Sequence, residues 1–62
     1  MSAEPMLLTV EEAAARLALG RSKTWQLVQQ RRLEVVRIGR STRVPLDALE
    51  AYVARLRAEQ AQ

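Results

Sequence analysis

The apolar period changes along this chain, and that change limits the fold more than any other feature. Val10, Ala13, Ala14 and Leu17 recur at the spacing of one helix face. A second helical pattern starts only a few residues later, beyond Gly20. Between Leu33 and Val44 the period falls to two: Val36 and Ile38 alternate with Arg37, and the chain returns through Thr42, Arg43 and Val44 after Gly39-Arg40-Ser41. Past Pro45 the helical period resumes, with Leu49, Tyr52, Val53 and Leu56 on one stripe. Any fold of these 62 residues must therefore hold two helices, a hairpin and a third helix, in that order.

Local signals sharpen the elements. Thr9 and Glu12 stand three apart ahead of an apolar run, the pattern of a capping box, and Glu12 pairs favourably with Arg16 one turn on. Helix 1 is predicted over Val10 to Ala18. Gly20 interrupts the pattern and Ser22 is placed to cap helix 2. So short a connection, containing glycine, is that of a helix-turn-helix. A lone hairpin is hardly stable in water, so the Val36 and Ile38 side is expected to lie against the helices. Arg37, Arg40 and Arg43 then occupy the tip and outer side. Pro45 suits a helix start; Asp47 and Glu50 complement the positive end of helix 3, and Arg55 and Arg57 its negative end. The fold class is mainly α with a small β-hairpin, a winged helix-turn-helix. The expected organisation is a flexible leader over 1–6, the domain over 7–57 and a frayed tail over 58–62.

Composition then excludes most chemistry. A chain this short buries only about 60% of its unfolded surface, so the core must be simple. It has no cysteine and no histidine, which removes a zinc site of the usual ligands, a Ser-His-Asp triad and a Cys-His pair. Carboxylates alone rarely gain a water-excluded pocket in so small a domain. Neither catalysis nor a metal or other cofactor is expected. No stretch approaches the ~20 apolar residues of a membrane span, and Met1 to Met6 lacks the form of a signal peptide. A cytoplasmic setting is expected, without a membrane partner.

The ten basic residues, all but one of them arginine, outnumber seven acidic ones for a net charge of +3. Arginine's planar fork suits phosphates and guanine edges. Their placement matters more than their number. Projected at 100° per residue, helix 2 puts Thr24, Trp25, Leu27 and Val28 on one half. Ser22, Lys23, Gln26, Gln29 and Gln30 fall on the other, without a carboxylate to repel phosphate. Arg21, Ser22 and Lys23 at the helix start are candidate phosphate contacts, or a plain cap with solvated charges. Gln26, Gln29 and Gln30 are candidate base readers, glutamine pairing bidentately with adenine, or ordinary exposed residues. On the wing, Arg37, Arg40, Ser41 and Arg43 are candidates for a narrow minor groove; charge protecting a strand edge is the plainer alternative. Arg31 and Arg32 either touch DNA backbone or merely end the helix. Trp25 and Tyr52 read as packing, and Arg55 and Arg57 as helix-end charges.

These residues resemble a known family. Leu8-Thr9-Val10-Glu11-Glu12-Ala13-Ala14, Gly20-Arg21-Ser22-Lys23-Thr24-Trp25-Gln26-Leu27-Val28, Val36-Arg37-Ile38-Gly39-Arg40-Ser41-Thr42-Arg43-Val44-Pro45 and Asp47-Ala48-Leu49-Glu50-Ala51-Tyr52-Val53 are similar to the helix-turn-helix domains of excisionases, relatives of the MerR DNA-binding domain. The likeness runs from Leu8 to Val53, about three-quarters of the chain. Departures are Arg31 where the family commonly has glycine, Thr24 where an apolar β-branched residue is frequent, and Trp25 where tyrosine is.

The resemblance implies that helix 2 lies in the major groove of double-stranded DNA and the wing in the adjacent minor groove. It implies a factor that performs no chemistry, bends DNA and biases a phage integrase toward excision in a bacterial host. Without the long coiled coil that makes MerR regulators dimers, a monomer is expected that self-associates on neighbouring DNA sites. A small MerR-like or prophage transcriptional regulator is the alternative, and a protein-interaction module a more distant one.

Overall fold

A computed structural model describes residues 6–61. The elements run β1 (Leu7–Leu8), α1 (Val10–Leu17), α2 (Arg21–Gln29), β2 (Val36–Ile38), β3 (Ser41–Pro45) and α3 (Leu46–Gln60). This is the winged helix-turn-helix that the period changes predict, with one strand more. Of the expected leader, only Met6 falls within the described residues. Its carbonyl accepts a hydrogen bond from Leu46 N–H at 2.9 Å, which ties the entry of the domain to the start of α3.

α1 starts as its sequence requires. Glu12 N–H donates to Thr9 Oγ1 at 3.0 Å and Thr9 N–H donates to Glu12 Oε1 at 2.9 Å, closing the capping box. The helix stops one residue earlier than expected, because Ala18 turns left-handed at φ 57°. Ala18 N–H then reaches the Ala15 carbonyl and Leu19 N–H that of Ala14. Those paired bonds satisfy carbonyls that a helix end otherwise leaves open.

α2 begins one residue before the expected cap. Gly20 is the N-cap and makes no side-chain cap bond, so Ser22 lies inside the first turn. The helix ends as α1 does. Arg31 is left-handed at φ 60°, Arg31 N–H bonds the Val28 carbonyl at 3.1 Å, and Arg32 N–H bonds that of Leu27 at 2.9 Å. Arginine thus occupies the backbone position that glycine holds most easily. Leu33 follows as a fully buried plug rather than the start of a strand.

The hairpin corrects an expectation about its faces. Its two-residue turn, Gly39 and Arg40, has φ 60° at the glycine and pairs Ile38 with Ser41, Arg37 with Thr42 and Val36 with Arg43. Glycine at the first central position with positive φ suits the tight turns that match strand twist. Residues directly opposite share a face, so Val36, Ile38, Ser41 and Arg43 lie on one side. Arg37, Thr42 and the fully buried Val44 lie on the other. The inward face of the first strand therefore continues back to half-buried Val35, not Val36. Val36 and Ile38, expected to lie against the helices, are 36% and 59% exposed.

What steadies the hairpin instead is β1, which the sequence reading missed. The sheet order is β1-β3-β2, with Leu7 opposite Pro45 and Leu8 opposite Val44. Leu8 and Val44 join Val10, Ala13, Leu27, Leu33, Leu49 and Tyr52 in one core. Leu17, Trp25, Val28, Leu46 and Leu56 pack around it. Val53, assigned to the α3 stripe, is 38% exposed and stands outside. α3 also continues as helix through Ala58, Glu59 and Gln60, residues expected to fray.

Candidate nucleic-acid interface

α2 divides as its projection predicts. Thr24 and Leu27 are buried, Trp25 and Val28 half-buried, and Arg21, Ser22, Lys23, Gln26, Gln29 and Gln30 exposed. The buried Thr24 hydroxyl, standing where a β-branched apolar residue is frequent, donates to the Gly20 carbonyl at 3.0 Å. That bond satisfies the polar group and lets threonine fill an apolar position. Gly20 supplies no side-chain cap, so the first amides of α2, at the positive end of its dipole, take no acceptor from the cap residue's side chain.

One member of this set is partly committed. Arg21 forms an ion pair with Glu11 of α1 at 3.1 Å, both side chains well exposed. Such a pair in water contributes little to stability, but it offsets the charge that Arg21 offers an anion. Lys23 is the other cation in the first turn of α2.

The hairpin distributes its candidates over two faces and a tip. Arg40 sits in the turn and is exposed. Arg37 projects from the Val44 face and lines a concavity with Trp25, Val28 and Gln29 of α2. Ser41 and Arg43 lie on the opposite face, both half-buried. Arg43 Nη1 donates to its neighbour's carbonyl, that of Thr42, at 2.9 Å. The three arginines do not share one outer side, because a two-residue turn places positions 37 and 43 in opposite phase.

Even so, α2 and the hairpin meet. Trp25 lines the concavity that holds Arg37, and also a second one bordered by Arg40, Ser41 and Arg43 with Thr9 and Glu11 of α1. The indole thus stands between the polar face of α2 and both arginine-bearing parts of the hairpin. Its packing role is as expected, and its location makes it the pivot of the candidate surface.

Comparison with known proteins gives this geometry a family. Residues 7–57 match the family described as a helix-turn-helix domain. The chain is 47% identical over 49 residues to an excisionase of Streptomyces ambofaciens, an overlap of 79% of each protein. The chain belongs to the excisionase family of helix-turn-helix DNA-binding domains. A probable excisionase of Saccharopolyspora erythraea is 56% identical over 55 residues, which cover 89% of this chain and 56% of that protein. The chain therefore spans little more than half the length of that relative. No solved structure matches it. Among the described residues, no helix is long and apolar enough to cross a membrane.

The sequence did not single out Arg55 as more than a helix-end charge. In the fold its Nη2 donates to the Arg32 carbonyl at 2.9 Å, across 23 positions of chain. Arg32 in turn pairs with Glu59 at 3.7 Å. These bonds attach α3 to the connection between α2 and β2. No local pattern could have announced them, because they depend on where α3 packs.

Proposed function

We propose that the chain is a non-catalytic DNA-binding and DNA-bending factor that directs a phage integrase toward excision in a bacterial host. In this reading α2 enters the major groove, with Gln26, Gln29 and Gln30 facing base edges. Ser22, Lys23 and the first amides of α2 hold a flanking phosphate, and Arg21 joins them when Glu11 releases it. Arg40 at the hairpin tip enters the adjacent minor groove, where a narrow A·T-rich stretch concentrates negative potential. Arg37 faces the backbone between the two grooves, and Ser41 and Arg43 support the tip from its other face.

The observation that carries this reading is the meeting at Trp25 of a carboxylate-free helix face with an arginine-tipped hairpin. The excisionase names of the relatives support the role in excision. A module this size covers about 600–1,000 Å² on DNA, which gives modest affinity. Self-association of copies on adjacent sites supplies the remainder, and the same bound array presents the bent DNA to integrase.

Gel-shift and bending assays on attachment-site DNA, with and without the cognate integrase, test the assignment. Arg40→Ala is expected to weaken binding and reduce the bend. Gln26→Ala is expected to relax sequence preference, each good base contact being worth about 1–3 kcal/mol of discrimination. If neither substitution changes either assay, the assignment is wrong.

A further inference from the structure

The concavity at the far end of α2 holds more positive charge than helix-end duty explains. Arg31, Arg32, Arg37 and Arg55 line it, against one carboxylate in the same lining, Glu34. Its volume is about 590 Å³ and it is open to solvent, ample for a phosphodiester segment. Two of the four guanidiniums are occupied within the protein: Arg32 by Glu59 and Arg55 by the Arg32 carbonyl. Arg31 and Arg37 have no ion pair among the described residues.

Arg31 is the informative member. It is an exposed arginine held at φ 60°, a conformation that disfavours residues with a Cβ by about 1–2 kcal/mol. Glycine satisfies the same helix-ending bonds without that strain. At this position the fold bears a backbone strain that a glycine would remove, and an exposed arginine at the helix end offsets only part of it through the helix dipole. Backbone strain kept at one residue often accompanies a function for that residue. The Arg55 bond, from α3 to the carbonyl of the residue after Arg31, ties down this stretch of backbone.

We infer that Arg31, with Arg37 across the concavity, clamps a phosphate of the DNA strand that passes from the groove read by α2 to the groove entered by the hairpin. The inference rests on the DNA-binding reading above and deepens it, making the backbone contact assigned there to Arg37 a two-arginine seat completed by Arg31. DNA backbone is favoured as the occupant because Gln29 and Trp25 of the α2 surface share the same lining. A phosphate here is continuous with the reading face of the helix. Arginine's fork can give it two parallel charge-assisted bonds.

Arg31→Gly separates this role from a structural one, because the two have opposite expectations. Thermal melting should show Tm unchanged or raised by up to about 6 °C. Duplex affinity, read by fluorescence anisotropy, should fall about 3- to 10-fold at ~100 mM salt, as expected for one lost hydrogen bond of ordinary net strength at a solvent-open site. The slope of log K against log salt should become shallower by about 0.9, one released counterion fewer. Preference for the specific over a scrambled duplex should stay the same, since a phosphate contact carries no base information. Arg31→Lys should keep the wild-type slope, and Arg37→Ala should lose about as much slope as Arg31→Gly.

Wild-type affinity and slope in Arg31→Gly would overturn the clamp and leave the concavity to an acidic protein segment. Should Arg40→Ala weaken binding in that same series, the DNA-binding reading stands and only the clamp falls. If the wild-type chain binds no duplex in a salt-dependent way, both fall together.

Discussion

At the scale of single residues, the ends of the helices carry most of the local energetics. The capping box of Thr9 and Glu12 satisfies two amides reciprocally, so Thr9→Ala should cost about 1 kcal/mol in a urea titration. Ala18 is the reverse case, a non-glycine residue held at φ 57° with its side chain exposed. Ala18→Gly relieves that backbone, partly offset by the greater freedom glycine has when unfolded. A net gain of about 0.5–1 kcal/mol is expected, seen as a Tm rise of roughly 2–8 °C in a domain this size. A fall in Tm would mean that the strain assigned to Ala18 is not there. The capping box could be read from two residues at fixed spacing. The left-handed residues could not be read from their own types, because alanine and arginine give no sign of positive φ; at Arg31 the only hint was the glycine that the family commonly has there.

At the scale of elements, the apolar periods of α1, α2 and α3 placed the helices correctly, since each helix face is a local pattern. The hairpin's existence and turn were equally plain, from Gly39 and the alternation around it. Its sidedness was not. Val35 and Val36 are adjacent, only one can face inward, and the choice follows from the phase of Val44 across a two-residue turn. β1 escaped because it is two residues long and has meaning only beside a strand almost forty positions away. These assignments have separate consequences. Leu8→Ala removes a fully buried side chain beneath the sheet and should cost about 2–4 kcal/mol, a large share of the roughly 3–9 kcal/mol that so short a chain commands. Ile38→Ala, on the exposed face, should cost under about 0.5 kcal/mol apart from a small loss of strand propensity. Chemical denaturation of the two variants checks this, and a reversed order would put Ile38 inside.

At the scale of the whole molecule, a small core serves to hold two surfaces in register. Leu8, Val44 and Leu33 fix the sheet and the α2–β2 connection to the helices, and Trp25 fills the junction between α2 and the hairpin. The membership of the candidate surface was legible in the sequence, from the division of α2 and the arginines around Gly39. Its arrangement was less so. Arg21 is offset by Glu11, and Arg37 and Arg43 are parted by strand phase; neither follows from composition. Dimethyl sulfate footprinting tests the central claim most directly, because the reagent reports guanine N7 in the major groove and adenine N3 in the minor groove. On a duplex selected from a random pool, the chain should protect guanine N7 at one position and adenine N3 about 5 base pairs away, half a helical turn. Arg40→Ala should lose the adenine protection and keep the guanine protection. Protection confined to one groove, or adenine protection indifferent to Arg40, would contradict a helix and a hairpin tip acting on neighbouring grooves.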